Sequence, residues 1–526
     1  MNLDAQQKNN NEDYFSHSIE LYEALGNSTL FDGRSLYDSL KVVGDVSLWS
    51  CLSTYLILYR FPLCFEAKIS LHNQFRPYVG RLAQLRDHLL SINRFSSEGT
   101  KINRLNSDMP TVLLLRFSDP IYHTVLQHIH QKLTTCQNTP RVISLAHDRR
   151  AHAGDSYSVL DFCTPTMLSR RNKGIDLIKG LTDPILHLAT KMDLNVKSAE
   201  KIDRGALRKE LHWLCTREFP RLVTLAASAY EIMESVQPSL ILTGDDADQK
   251  CKLFELIGET YSIPTLVVQQ GITRADYPDW QYFAGHHAAV MGSSSVKALT
   301  AQGVPSDRLT ITGHPGFDQY ATLSINEVIE TRQSLELSPN EIFILFASQP
   351  FLPGAFKTPA ARENMIRSIL RASGNFREIK LVIKPHPSDN VAALKKLCKG
   401  LNNVIFVDKS HKISSLIKAC DVFLTMFSQT TFEALYANKP VINVNFWDSG
   451  IKADFILKGA TLVAHSENEV VEAFKAVVAR DFSFFQSEVR RMAAAELLHD
   501  LVYIQDGCAG DRVVKLIRKL YLDKLI

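Results

Sequence analysis

The sequence predicts an α/β protein with two Rossmann-like domains facing a cleft, preceded by a helical extension. Three observations predict it. From Pro110 onward, short apolar runs of strand length alternate with helical segments. The alternation comes in two series, residues 106–330 and 331–500, each large enough for one doubly wound domain. Residues 1–105 have helix-like apolar content without strand alternation.

In the extension, Leu21, Leu25, Leu30, Leu36 and Leu40 supply helical apolar positions, and Arg81 to Ile92 (RLAQLRDHLLSI) has helical spacing. Trp49 to Phe65 reads as a buried helix. Arg60 and Pro62 interrupt it, and it falls short of the ~20 apolar residues of a membrane span.

The first series opens with Thr111 to Phe117 (TVLLLRF), a buried strand. Asp119-Pro120 starts a helix to about Leu133, with Pro in the favourable first turn. Strand Val142–Ala146 precedes a long helical region, Asn172 to Glu234. Strands Ser239–Thr243 and Thr265–Gln269 flank a helix, Lys250 to Tyr261. His287–Gly292 and Leu309–Gly313 are two further short strands. In the second series the strands are Ile342–Ala347, Ile379–Lys384, Val404–Val407, Val422–Phe427 and Pro440–Val444, with helices between them. The end of the chain reads as helices over 467–480 and 484–524, with 501–526 packing back on the N-terminal side.

Composition sets the class. Hydrophobic content of 45% and charged content of 22% are those of a soluble globular protein. A net charge of +3 offers no concentrated basic face, so no nucleic-acid partner is expected. The nine cysteines are scattered without a Cys-x-x-Cys pair, which argues for reduced thiols rather than zinc or disulfides. The start, MNLDAQQKNNNEDYF, has no secretory pattern. The expected location is the cytoplasm, with peripheral association at the inner face of the membrane as a further expectation.

The chemistry-bearing residues fall at predicted strand ends, where open parallel sheets bind ligands. Lys384-Pro385-His386-Pro387 places an imidazole, bracketed by prolines, beside a lysine. Such a histidine suits hydrogen bonding to a leaving phosphate or general acid work. Ser428-Gln429-Thr430-Thr431-Phe432-Glu433 places hydroxyls and backbone N–H groups at a helix start, where phosphate binds. Capping alone needs one hydroxyl. Glu433 in the first turn suits a ribose, and equally a plain dipole contact.

Gly244-Asp245-Asp246-Ala247-Asp248 crowds carboxylates at another strand end, enough to raise one pKa and supply a base or nucleophile. Gln270-Gly271 and Ser348-Gln349 end two more strands. His286-His287 lacks i, i+4 metal spacing, and neither a Walker loop nor Gly-x-Gly-x-x-Gly occurs. No metal and no cofactor are expected.

The C-terminal series, KLVIKPHPSDN through DVFLTMFSQTTFEALYANKPVINVNF, resembles the donor-binding half of GT-B glycosyltransferases of bacterial surface polysaccharides. These include capsule Kdo transferases and bacterial sialyltransferases, with CDP-glycerol glycerophosphotransferases related. PTLVVQQGI and LTITGHPGFDQY are similar to linked segments, so the resemblance spans about residues 235 to 445. It implies that Asp245-Asp246 is the acidic catalytic pair, His386-Pro387 the nucleotide-phosphate motif, and Ser428, Thr430 and Thr431 the third motif. Lys384, Glu433, Gln349, Gln270 and Gly271 would complete the donor site. Ala247 stands where a glycine often closes the acidic motif, and Gln270 where many relatives have histidine.

The implied function is transfer of a sugar from a nucleotide-activated donor, a CMP-linked acidic sugar such as Kdo or sialic acid, to a glycan or lipid-linked glycan acceptor. The alternatives are a CDP-glycerol-type phosphotransferase, which would need a second histidine (His286, His287 or His314), a UDP-sugar transferase or 2-epimerase, and a non-catalytic GT-B scaffold.

Overall fold

The structure is a computed structural model of the 526-residue chain. It describes residues 3–65, 109–117, 123–135, 140–146, 156–190, 199–321, 324–351, 358–408, 410–446, 458–481 and 487–522, with Val196, Phe356, Ile456, Ser483 and Phe485 as single positions. The helix expected over Arg81–Ile92 and the helix start at Asp119-Pro120 lie outside the described residues. The chain forms two compact units, Met1–Pro315 with Gly510–Ile526, and Gly316–Ala509.

In the first unit seven strands form one parallel sheet: β1 Thr111–Arg116, β2 Arg141–Ala146, β3 Ser156–Ser158, β4 Leu240–Thr243, β5 Thr265–Val268, β6 His287–Val290 and β7 Leu309–Ile311. Their order is β3-β2-β1-β4-β5-β6-β7, so the winding reverses between β1 and β4. Sequence reading missed β3, whose three residues (SYS) carry no apolar run.

Period-two alternation divides the core between the two faces of the sheet. Val112, Leu114, Val142, Leu240 and Leu242 pack with Leu126 and Ile129 of helix His123–Thr135 and with Val513 and Ile517 of the terminal helix, Ala509–Leu522. Leu113, Leu115, Ile143, Leu145 and Ile241 face the other way, onto helices Pro165–Leu188, Phe219–Val236 and Gln249–Thr260 and the N-terminal helical region. Gly174 permits the close crossing of two of these helices. A Cβ there would lie 2.8 Å from Val223 and from Val43.

The N-terminal region is part of this unit. Helix Leu3–Asn27 contributes Tyr22, which stacks on Trp49 with ring centroids 5.3 Å apart. The segment expected as one buried helix, Trp49–Phe65, is buried but broken into short helices, a wide turn at Leu56–Arg60 and a tight one at Phe61–Cys64. Pro62 has no N–H to continue an α-helix. Arg60 is fully buried, paired with Glu210 and lying 4.0 Å over the Trp213 ring. Among the described residues no helix is long and apolar enough to cross a membrane.

The second unit repeats the architecture. Its strands are β8 Ile342–Ala347, β9 Ile379–Lys384, β10 Val404–Phe406, β11 Val422–Thr425, β12 Val441–Val444 and β13 Leu462–Ala464. The order β10-β9-β8-β11-β12-β13 is again parallel, with reversal between β8 and β11. The short strand β13 was not anticipated.

The unit begins at Gly316 rather than 331, because the connecting residues pack on it. Arg332 bonds the Ala419 and Glu341 carbonyls and pairs with Asp421, and Glu327 pairs with Lys418. The terminal helix expected over 484–524 is two helices, Glu488–Val502 and Ala509–Leu522. They are separated where Tyr503 (φ 69) and Gly507 (φ 70) take left-handed backbone that a helix excludes.

Candidate functional site

All strands of each sheet are parallel, so the residues after them gather at one edge, and the crevice between β8 and β11 is where such sheets bind ligands. In the second unit, residues from three neighbouring strand ends are joined there. Gln349 follows β8, and its side-chain carbonyl accepts the Phe427 N–H, after β11, at 2.8 Å. Its backbone carbonyl accepts Arg362 Nε at 2.6 Å. The same guanidinium pairs with both carboxylate oxygens of Asp389 at 2.8 Å, and Ser348 Oγ donates to Asp389 at 2.6 Å.

His386 sits on the turn between β9 and Asp389 and is exposed. Its Nδ1 accepts the Ser388 N–H at 3.1 Å, so the neutral ring carries its proton on Nε2 and presents an N–H donor. Partial desolvation lowers the ring pKa below its usual value, with the Asp389 charge acting the other way. Pro387 is exposed beside it. Lys384 points elsewhere: its ammonium bonds the carbonyls of Asp408 and His411, in the latter case at 2.8 Å, closing the loop after β10.

After β11, Ser428 Oγ accepts the Thr430 hydroxyl at 2.7 Å and the Thr430 N–H at 3.3 Å. Both residues are half-buried. Thr431 is fully buried, and its hydroxyl has no partner. The three hydroxyls grouped in sequence therefore divide, two at the strand end and one in the core. Glu433 accepts a hydrogen bond from the Tyr320 hydroxyl, and burial pushes its carboxyl up to about 7, against the effect of that bond.

In the first unit the two neighbouring aspartates after β4 have different surroundings. Asp246 is fully buried. It accepts the N–H groups of Ala284 (2.8 Å) and Gly285 (3.3 Å) and lies 3.0 Å from the buried ammonium of Lys252. Lys252 also donates to the Tyr282 carbonyl at 2.7 Å and to Thr54 at 3.2 Å. Glu255, fully buried alongside, has its carboxyl held well above the usual range by burial and by the Asp246 charge.

Asp245 is half-buried. One of its oxygens accepts the N–H groups of Ala247 (2.9 Å) and Asp248 (3.3 Å). Burial first, and the Asp248 charge second, push its carboxyl up to about 7. Of the acidic pair, Asp245 thus has the surroundings of a base and Asp246 those of a structural anchor.

Gln270, after β5, lies against Gly244, where a Cβ would come 2.8 Å from its amide nitrogen. Its backbone carbonyl bonds His314 Nε2 at 3.1 Å, which brings the second His-Pro dipeptide to this edge as well. A Cβ at Gly271 would meet nothing within 4 Å, so space is open beside that backbone. His287 is bonded to Thr310 at 2.7 Å at the start of β6, on the opposite edge. Sequence reasoning missed Arg362, Asp389, Tyr320, Lys252 and Glu255. Only Asp389, three residues past His386, carried a local signal. Among the described residues no group of three His, Cys, Asp or Glu converges as a metal site.

A cavity of about 540 Å³ lies in the first unit between Pro110, Pro238, Ile263, Tyr261 and Tyr521. It opens where β1, β4 and β5 begin, opposite the edge just described, so it is not the crevice that the winding of the sheet marks.

Residues 284–518 match the family model of UDP-N-acetylglucosamine 2-epimerase. No curated protein matches the chain. Among solved structures, a Listeria monocytogenes protein assigned as a UDP-N-acetylglucosamine 2-epimerase is similar at 11% identity and a TM-score of 0.50, covering 79% of this chain and 97% of that one. The Neisseria meningitidis UDP-GlcNAc 2-epimerase bound to UDP-GlcNAc is similar at 15% identity and 0.46, covering 78% and 100%. The wall teichoic acid polymerase TagF is similar at 11% identity and 0.49, covering 84% and 99%. At these identities the likeness shows the fold alone: an α/β protein of two parallel-sheet Rossmann-like units, GT-B-like, with a helical N-terminal region.

Proposed function

We propose that this protein is a nucleotide-sugar enzyme that takes a UDP-linked hexosamine and transfers the sugar to a polysaccharide or lipid-linked glycan acceptor. The observation that carries the reading is the joined edge of the second unit. There His386 Nε2–H, Ser428 and Thr430 stand at the ends of β9 and β11, in a segment inside the family match. Donors of this kind suit the phosphate of a nucleotide leaving group, and a preorganised N–H stabilises the charge that develops there. We assign the ribose end to Gln349 and Glu433, which hold the Phe427 N–H and the Tyr320 hydroxyl. In the first unit we assign the role of base to Asp245, whose carboxyl burial pushes up to about 7. Lys384 has its ammonium committed to backbone carbonyls, so it supports the loop rather than the phosphate.

The family match supports a second reading, epimerisation at C2 of the UDP-sugar. The CMP-linked acidic sugar implied by the motifs remains the competing donor. One experiment separates them. The protein is incubated with UDP-N-acetylglucosamine, and separately with a CMP-linked acidic sugar, in D2O, with and without a glycan acceptor. Transfer predicts acceptor-dependent UDP release. Epimerisation predicts deuterium at C2 without an acceptor. CMP release alone restores the acidic-sugar donor, and no turnover with His386→Ala indistinguishable from wild type in UDP and CMP binding sinks the site.

A further inference from the structure

His386 is exposed on a turn, yet its ring orientation matters only if it is fixed. The turn itself is held from both sides. The Asp389 N–H donates to the His386 carbonyl at 2.9 Å, and the Ser388 N–H donates to His386 Nδ1 at 3.1 Å. The turn ends on the Asp389 side chain, 3% exposed, which has three bonds to protein donors: two from Arg362, itself 13% exposed, and one from Ser348. Arg362 comes from helix Pro359–Gly374 and also holds the Gln349 carbonyl, while Gln349 holds the Phe427 N–H. A single guanidinium thus sets the relative position of the loops after β8, β9 and β11.

We infer that the buried Arg362–Asp389 ion pair, with Ser348, is a positioning element for His386. It holds the Pro387–Asp389 turn so that Nδ1 stays an acceptor and Nε2–H is offered outward to a phosphate oxygen. The ring itself touches neither Arg362 nor Ser348 through any bond seen here, so both act through the turn. A guanidinium suits this task because its rigid plane sends Nη2 to the Asp389 carboxylate and Nε to the Gln349 carbonyl at once, fixing direction as well as distance, which a lysine does not. The inference that the offered N–H meets a phosphate rests on the proposed function, but the locking of the ring does not.

The test uses the full-length protein. The imidazole nitrogen that carries the lone pair attacks a carbonyl carbon of diethyl pyrocarbonate, taking up an ethoxycarbonyl group as ethyl carbonate leaves. In the locked ring that nitrogen is Nδ1, already occupied by Ser388. His386 is therefore expected to react slowly, as read by peptide mass spectrometry against His411 in the same sample. Arg362→Lys and Asp389→Asn should raise its rate at pH 7 by about tenfold, and raise the Kd for UDP by a similar factor, the size expected for a charged hydrogen bond lost.

Breaking a buried pair risks the fold, so Ser348→Ala is the second variant. It keeps the ion pair, and its expected effect is about threefold on both readouts. A purely structural role would weaken UDP binding without changing His386 reactivity. That result, or wild-type reactivity in every variant that folds, overturns the inference. If wild type binds neither UDP nor CMP but the reactivity pattern holds, the nucleotide reading falls and the positioning role stands.

Discussion

Lys252→Met tests whether the buried charges after β4 are structural. The ammonium, 1% exposed, lies 3.0 Å from Asp246 and supports the Tyr282 carbonyl and Thr54. Methionine fills nearly the same volume without the charge. It leaves Asp246 with its two backbone N–H bonds and the Glu255 carboxyl, and Glu255 without its neighbouring cation. Removing one partner of a buried pair typically costs about 3–5 kcal/mol.

Unfolding entropy is ~2.1 cal/mol/K per residue. Over the roughly 330 residues of the first unit this gives about 0.7 kcal/mol/K. The expected fall in Tm is then about 4–7 °C by circular dichroism. A melting temperature within a degree of wild type would refute the reasoning.

Three further outcomes are expected. Asp245→Asn should abolish turnover by about 10²-fold or more while leaving Tm at neutral pH unchanged or higher. Its wild-type carboxyl titrates near 7 when folded and near 3.8 when unfolded, so wild-type stability declines between about pH 4 and 7 and the variant should flatten that decline in a pH series of melts. Glu255→Gln should hold or raise stability at pH 7, since burial and the Asp246 charge already disfavour the charged carboxylate there, whereas Glu255→Lys should prevent folding; equal melts for the two would contradict that reading. Arg60→Met should destabilise by about 3–5 kcal/mol in urea unfolding, and pairing it with Glu210→Leu should recover much of the loss, because the second change removes the stranded carboxylate.

The sequence by itself determined the two α/β series. Parallel strands buried on both faces must be apolar throughout, and TVLLLR, IFILFA and IKLVIK announce themselves. It also determined where chemistry gathers, because residues after parallel strands share one edge whatever the details of packing. The short strands β3 and β13 escaped because three residues of mixed polarity give no periodic signal. Only tertiary structure decided what each polar residue does at that edge. Asp245 and Asp246 are adjacent and chemically identical, yet one meets a lysine brought from the next helix and the other does not. The ammonium of Lys384 bonds two carbonyls after β10, partners that nothing in its own segment announces. Arg362 carried no local signal at all, since a guanidinium's partner is set by where its helix lands. Periodicity is written along the chain and can be read there, whereas desolvation and ion pairing depend on residues far apart in sequence and exist only once the chain has folded.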